Sequence, residues 1–157
     1  MAAERPNVSS DLIWEVTRSQ NAFLVKRKTG GGAQFSRDPL NPVNLHSRKY
    51  AGYANSKAIS LQPTDKGGVV LLSKTAGNAQ RPAKNIQTVT WGPNASNRKI
   101  YKSVAYKTAK TGYRADLREV AVARASAIRL SQRPKKDAPT PKLRGAKARQ
   151  AAQKGSS

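Results

Sequence analysis

The side chains of this sequence with the chemistry to act on a partner are cations and tyrosines, and they fall into clusters. One is Arg48-Lys49-Tyr50, followed by Tyr53. A second is Arg98-Lys99 with Tyr101, Lys102, Tyr106, Lys107 and Lys110. A third is Arg118, Arg129 and Arg133, which share one side of a candidate helix, with Arg114 leading into it from the preceding loop. Arg81 and Lys84 stand in a Gly/Asn/Pro-containing basic loop, and Arg133-Pro134-Lys135-Lys136 opens a basic tail. A guanidinium is a planar fork that donates two parallel hydrogen bonds, which suits phosphate. Tyrosines interleaved with cations can stack on unpaired bases while phosphates are held alongside. Taken singly, each tyrosine reads more simply as a partly buried packing residue whose hydroxyl finds a partner.

Other chemistries lack their parts. There is no cysteine, so disulfides, thiolate zinc sites and cysteine nucleophiles are excluded. His46 is the single histidine and has no carboxylate cluster beside it in sequence, so no metal or cofactor is expected. Of the eight acids, Glu4, Asp11, Asp38, Asp116 and Glu119 fall in leader, capping or turn positions. That leaves no paired carboxylates and no nucleophile with an activating base, so the chain reads as a non-enzyme. Gly30-Gly31-Gly32 is not followed by Gly-Lys-Ser/Thr, so it reads as a turn rather than a phosphate loop.

The charge balance agrees with the clusters. Thirty Lys and Arg against eight acids leave a net charge of +22 over 157 residues. Residues 1 to 65 carry +4 of it and residues 66 to 157 carry +18. Such an excess argues for a polyanionic partner rather than for a particular fold. Apolar residues are 37% and aromatics 6%, enough for one modest core. No apolar run exceeds four residues, as in Val69-Val70-Leu71-Leu72, far too short to span a bilayer, so no membrane is expected.

The elements that must position the clusters follow from local pattern. Residues 1 to 8 read as a flexible leader. Ser9-Ser10-Asp11 supplies capping side chains for a helix over roughly 10 to 19, with Leu12 and Val16 on one face. Ala22 to Arg27 has strand composition, and a second strand near Gln34-Phe35-Ser36 would close a hairpin across the glycines. Asp38-Pro39-Leu40-Asn41-Pro42 is turn chemistry, and Asn44 to Tyr53 shows no period. Ala58 to Gln62 alternates and predicts a half-buried strand. It pairs through the Thr64–Gly68 turn with Val69 to Ser73, read as a strand buried on both faces. Ile86 to Trp91 predicts a further strand, and Asn94 to Lys107 a helix with Ile100, Val104 and Tyr101 inward. Trp14 and Trp91 read as packing residues.

The last helix is predicted over 116 to 131, with Asp116 and Glu119 as a capping box and Pro134 beyond its end. Its wheel puts Leu117, Val120, Ala121, Ala127 and Ile128 on the buried face, with the Arg118, Arg129 and Arg133 row facing outward. Arg124 falls on the apolar side, either reaching the margin or crossing to a partner. Residues 133 to 157 are a low-complexity basic tail compatible with a nuclear localisation signal, a membrane-surface patch or an RNA-threading arm. A membrane patch needs an apolar face or a lipid, and the tail has neither. The expectation is one small α+β domain over 9 to 132, basic after about 94. It has a small antiparallel sheet, an N-terminal helix, a long basic C-terminal helix and an extended tail.

An ordered series of residues then resembles a known family. Ser9-Ser10-Asp11-Leu12-Ile13-Trp14, Arg18, Asn21 and Phe23-Leu24-Val25-Lys26-Arg27 look like the start of a eukaryote-specific large-subunit ribosomal protein, family twenty-eight of the eukaryotic series. The likeness continues through Tyr50, Gly52, Lys57-Ala58-Ile59 and Gly68-Val69-Val70. It is closest at Tyr113-Arg114-Ala115-Asp116-Leu117-Arg118 and Arg124-Ala125-Ser126-Ala127-Ile128, and ends near Arg133-Pro134-Lys135. Residues 1 to 8 extend beyond the family's usual start, and Ala115 stands where proline is expected. The resemblance implies a structural component of the cytoplasmic large subunit that is assembled first in the nucleolus. It implies large-subunit rRNA and neighbouring ribosomal proteins as partners, with no catalysis and no homo-oligomer. A nucleolar assembly factor that shares the N-terminal fold is the alternative it implies.

Overall fold

The computed structural model describes residues 7–79, 81–139, 142 and 144–154, the side chains of 151 and 152 aside. Most of the expected leader and part of the expected tail lie outside the described residues. The elements run α1 (Ser10–Thr17), β1 (Leu24–Lys26), β2 (Gln34–Ser36), β3 (Ile59–Pro63), β4 (Val69–Lys74), α2 (Pro82–Asn85), β5 (Ile86–Trp91), α3 (Asn97–Ala105), α4 (Arg118–Ser131) and α5 (Ala146–Lys154). β1 and β2 form a two-stranded antiparallel ribbon across the glycines. β3, β4 and β5 form a separate antiparallel sheet in that order.

One face of the three-stranded sheet meets α3 and α4. Ile59, Leu61, Val69 and Leu71 point inward against Ile100 and Val104 of α3 and Leu117, Ala121, Ala125 and Ile128 around α4. Sealing a Leu, Ile or Val from water contributes about 1.5–3 kcal/mol each, so this layer is where stability concentrates. Val89 and Trp91 pack against its margin, in keeping with a packing role for Trp91. The β4 run is not buried on both faces: Val69 and Leu71 are sealed, while Val70 and Leu72 are half-buried. Among the described residues, helices cover one side. On the other side the chain around Pro39–Asn41 covers the β3 end, where Ser60 Oγ donates to Asn41 O at 3.4 Å.

α4 departs from its expected start. Ala115–Leu117 forms a single 3₁₀ turn, and Leu117 stands at the cap position with no side-chain cap bond. The capping box does not form, because Arg114 takes the Asp116 carboxylate at 2.8 and 2.7 Å. The buried stripe also lies closer to α3 than the wheel placed it: Ala125 is sealed and Ala127 is exposed. The cause is tertiary, since Ala125 joins the core cluster with Ile100 and Val104 of α3 while nothing among the described residues covers Ala127. α3 is capped by Ser96 Oγ and continues past Ala105 as a π-helical turn, Tyr106–Lys110, whose buried Thr108 donates to Val104 O at 2.9 Å.

The N-terminal part is held by polar contacts more than by a core. Ser9 Oγ caps α1, which buries no residue fully; Leu12 and Val16 are exposed. Trp14 lies 4.9 Å from the His46 ring and 6.4 Å from Tyr53, while His46 Nε2 lies 2.8 Å from Arg18 O. The 38–53 stretch is ordered by buried polar side chains. Asp38 accepts from Leu40 N and Tyr53 N, and Asn41 Oδ1 accepts from Val43 N and Asn44 N. Gly52 crosses within reach of Leu40, where any Cβ would stand 2.3 Å from the leucine Cβ. Within the tail, the alanine-rich 146–154 stretch is helical, as its composition favours.

Candidate nucleic-acid interface

Side chains spaced three and four apart on a helix share a face. Arg98, Tyr101, Lys102 and Ala105 on α3, with Tyr106 and Ala109 in the π-helical turn, follow that spacing. They face Arg118 and Val122 of α4 across an open groove. Two adjoining depressions of about 550 and 580 Å³ make up this groove, sharing Lys102, Ala105 and Arg118. Lys110 lies over the Tyr106 ring at 5.7 Å from its centroid. Among the described residues, no acid lines either depression. The lining sets half-buried Tyr101, Ala105, Ala109 and Val122 and exposed Tyr106 within a rim of exposed cations, Arg98, Lys102, Lys110 and Arg118. Such a groove can hold a planar apolar group against tyrosine with anionic oxygens on the rim.

The fifteen residues singled out from the sequence divide into two kinds. Arg98, Lys99, Lys102 and Arg118 stand at or beside the groove, exposed, and no described side chain holds them in a hydrogen bond or ion pair. Arg133, Lys135 and Lys136 extend beyond α4, also exposed. Arg81 and Lys84 flank α2. Lys107 lines a second groove of about 360 Å³ with Lys57, Gln87 and Tyr113. Lys49 lies over the Tyr50 ring, and Tyr50 packs against the core.

Three arginines are instead structural ties. Arg48 joins α1 to the following loops: it pairs with Asp11 at 2.7 Å and donates to Ser10 Oγ and Asn55 Oδ1. Arg114 donates to Lys57 O at 2.8 Å and Lys49 O at 3.1 Å besides binding Asp116. Arg129 donates to Asn97 Oδ1 at 2.8 Å and to Pro93 O at 3.1 Å. The outward arginine row of the wheel is therefore interrupted. The loop that leads into α3 closes over Arg129, while Arg118 opens into the groove. Arg124 is half-buried, and its Nε is enclosed without a hydrogen-bond partner among the described residues.

Two neighbouring groups have shifted acidities. The Arg114 guanidinium holds the Asp116 carboxyl below its ordinary range, by hydrogen bonding first and by charge as well. Burial pushes the Tyr113 hydroxyl up, although it bonds to the backbone of Ala58 and Lys74. Lys74 was missed by the sequence reading: its ammonium reaches across to Gly52 O, Tyr53 O and Asn55 O. The only sequence signal is its place at the end of a strand, which does not reveal a target.

Residues 12–131 match the model of the ribosomal L28e protein family. The chain belongs to that family. The fission yeast Schizosaccharomyces pombe has a relative named large ribosomal subunit protein eL28. It is 51% identical over 131 residues, which covers 83% of this chain and 97% of the relative. Proteins of the same name from Dictyostelium discoideum and Caenorhabditis elegans are 34% identical over 131 residues and 37% identical over 101. These alignments cover 83% and 63% of this chain, and 94% and 77% of the relatives. The family is one of ribosomal proteins and not of enzymes. Its matched span ends at the last residue of α4, so α5 lies beyond it.

Proposed function

We propose that this chain is a structural constituent of the large ribosomal subunit that binds rRNA through the groove between α3 and α4 and stabilises the RNA surface it occupies. The observation that carries the reading is the acid-free rim of Arg98, Lys102, Lys110 and Arg118 around Tyr101 and Tyr106. In a family of ribosomal proteins, a groove with that lining suits an unpaired base flanked by phosphates. Arg48, Arg114 and Arg129 act indirectly by holding the loops in place. Arg81, Lys84, Lys107, Arg133, Lys135 and Lys136 extend the phosphate-neutralising surface. Residues 9 to 132 form the binding domain, and the tail after 133 follows RNA. Neighbouring ribosomal proteins complete the partners, the chain enters as a single copy, and assembly begins in the nucleolus.

Sedimentation of cell extracts tests the subunit role. Stoichiometric presence in translating polysomes is the expected result. Presence only in nucleolar precursor particles would instead identify an assembly factor that leaves before the subunit matures. Photocrosslinking from Ala109, in the groove lining, should give adducts to large-subunit rRNA; adducts only to protein would overturn the RNA role of the groove.

A further inference from the structure

β5 is an edge strand left without a partner on its outer side among the described residues. Its hydrogen-bonding direction follows from the register. In an antiparallel pair, residues alternate between bonding toward the partner and away from it. Thr75 N donates to Asn85 O, and Lys74 N donates to Ala58 O. Asn85, Gln87, Val89 and Trp91 therefore bond toward β4, while the N–H and C=O groups of Ile86, Thr88 and Thr90 point outward. These three residues are exposed.

Edge strands are ordinarily protected by lysine, proline, a bulge or a covering element. β5 reads Ile-Gln-Thr-Val-Thr-Trp, with no charge and no proline, in a chain that carries thirty cations. The surroundings are asymmetric. Arg81 and Lys84 precede the strand, and Lys57 and Lys107 line the groove beside Gln87. At the other end Gly92 and Pro93 are uncharged, Arg129 is tied to Asn97 Oδ1 and to the carbonyls of Pro93 and Ala95, and the adjoining turn sets Asp65 beside Lys66.

We propose that the free edge of β5 accepts an extended segment of a different protein, added antiparallel as a fourth strand, with an acidic residue at the end that lies against Ile86. A polypeptide matches an edge of alternating donors and acceptors. Phosphates only accept, so an RNA backbone would leave the outward carbonyls of Ile86, Thr88 and Thr90 without donors from its charged oxygens. A second copy of this chain would bring another +22 and no acid into β5's own sequence. The exposed cations without an acid beside them in sequence stand at the Ile86 end, which calls for an acid at that end.

The inference rests on the proposed subunit role only for where the partner is met. A photocrosslinking amino acid is placed in turn at Ile86, Thr88 and Thr90 of the full chain in cells. Adducts are mapped both in purified subunits and in the remaining extract, after RNase digestion. A fourth strand predicts adducts to one other protein, at positions two residues apart and in reverse order, with Asp or Glu at the Ile86 end. Thr88→Pro removes an outward N–H without touching a β4 bond. It should lower the adduct yields at 86 and 90 roughly tenfold, the loss expected for one or two hydrogen bonds. The ladder does not depend on that variant folding. Adducts to RNA, to a second copy, without register, or none in either pool would overturn the proposal. A laddered adduct found only outside subunits would keep it and reject the subunit role. Subunit entry with rRNA adducts from Ala109 but no ladder would do the reverse.

Discussion

The side-chain amide of Gln132 pairs twice with the backbone of Gly68: Nε2 donates to Gly68 O at 2.7 Å, and Gly68 N donates to Oε1 at 3.0 Å. The pairing imitates one rung of a β-ladder and fastens the end of α4 to the β3–β4 turn. Gln132→Ala removes both bonds, leaving Gly68 N to water or nothing and Gly68 O with only the long bond from Thr64 N at 3.4 Å. A loss of about 1–2 kcal/mol is expected, read as a lower urea midpoint with an unchanged slope.

Gly68 itself should not tolerate a side chain. Its φ is +112°, and a Cβ there would stand 2.2 Å from Trp91 O. Gly68→Ala must therefore strain the backbone and separate the turn from β5. A loss of about 3 kcal/mol or more is expected, combining left-handed strain with the displaced packing. Thermal unfolding followed by tryptophan fluorescence measures it. A loss below that of Gln132→Ala would contradict the close approach.

Arg118 and Arg129 stand on the same helix, yet their substitutions should separate. Arg118→Glu is expected to keep the unfolding midpoint and to weaken RNA binding. It should also flatten the salt dependence of affinity by about one phosphate's worth of slope. Arg129→Ala is expected to cost about 2 kcal/mol of stability by freeing the loop that leads into α3. Its RNA affinity per folded molecule should be nearly unchanged. Equal effects of the two variants on binding would show that the groove is not the contact.

Tyr113 and Arg114 hold adjacent backbones. The Tyr113 hydroxyl donates to Lys74 O and accepts from Ala58 N, joining β4 to the chain entering β3. Tyr113→Phe should cost about 1–2 kcal/mol, because buried backbone partners lose their bond. A neutral change in a chemical denaturation series would count against this tie.

The Asp116–Arg114 pair predicts an acid sensitivity. The folded-state pKa of Asp116 is lowered, first by its hydrogen bonds to Arg114, so its ionised form is favoured by folding. Its contribution is present above the ordinary aspartate range and is lost as pH falls through about 4 toward the folded value. Asp116→Asn should therefore be less stable than the parent near neutrality. The difference should shrink as pH drops from about 5 to about 3. A difference that is constant with pH would remove the ion pair as its cause.

Local pattern alone determined much of this protein. Period-two alternation located β3, the glycine run placed the β1–β2 turn, and the spacing of Ile100 and Val104 located the inward side of α3. Composition excluded thiol chemistry and argued for a polyanion, because charge and residue type do not depend on neighbours. The ordered residue series pointed to the family.

Tertiary structure decided which of the cations are free. Arg48, Arg114 and Arg129 look like their neighbours in sequence, yet each finds a carbonyl or carboxylate brought to it from a distant segment. The capping box failed for a local reason instead, since Arg114, two residues away, takes the Asp116 carboxylate. Partners tens of residues away leave no local signature, so the pairing of Gln132 with Gly68, the reach of Lys74 and the bare edge of β5 became visible only in the packed chain.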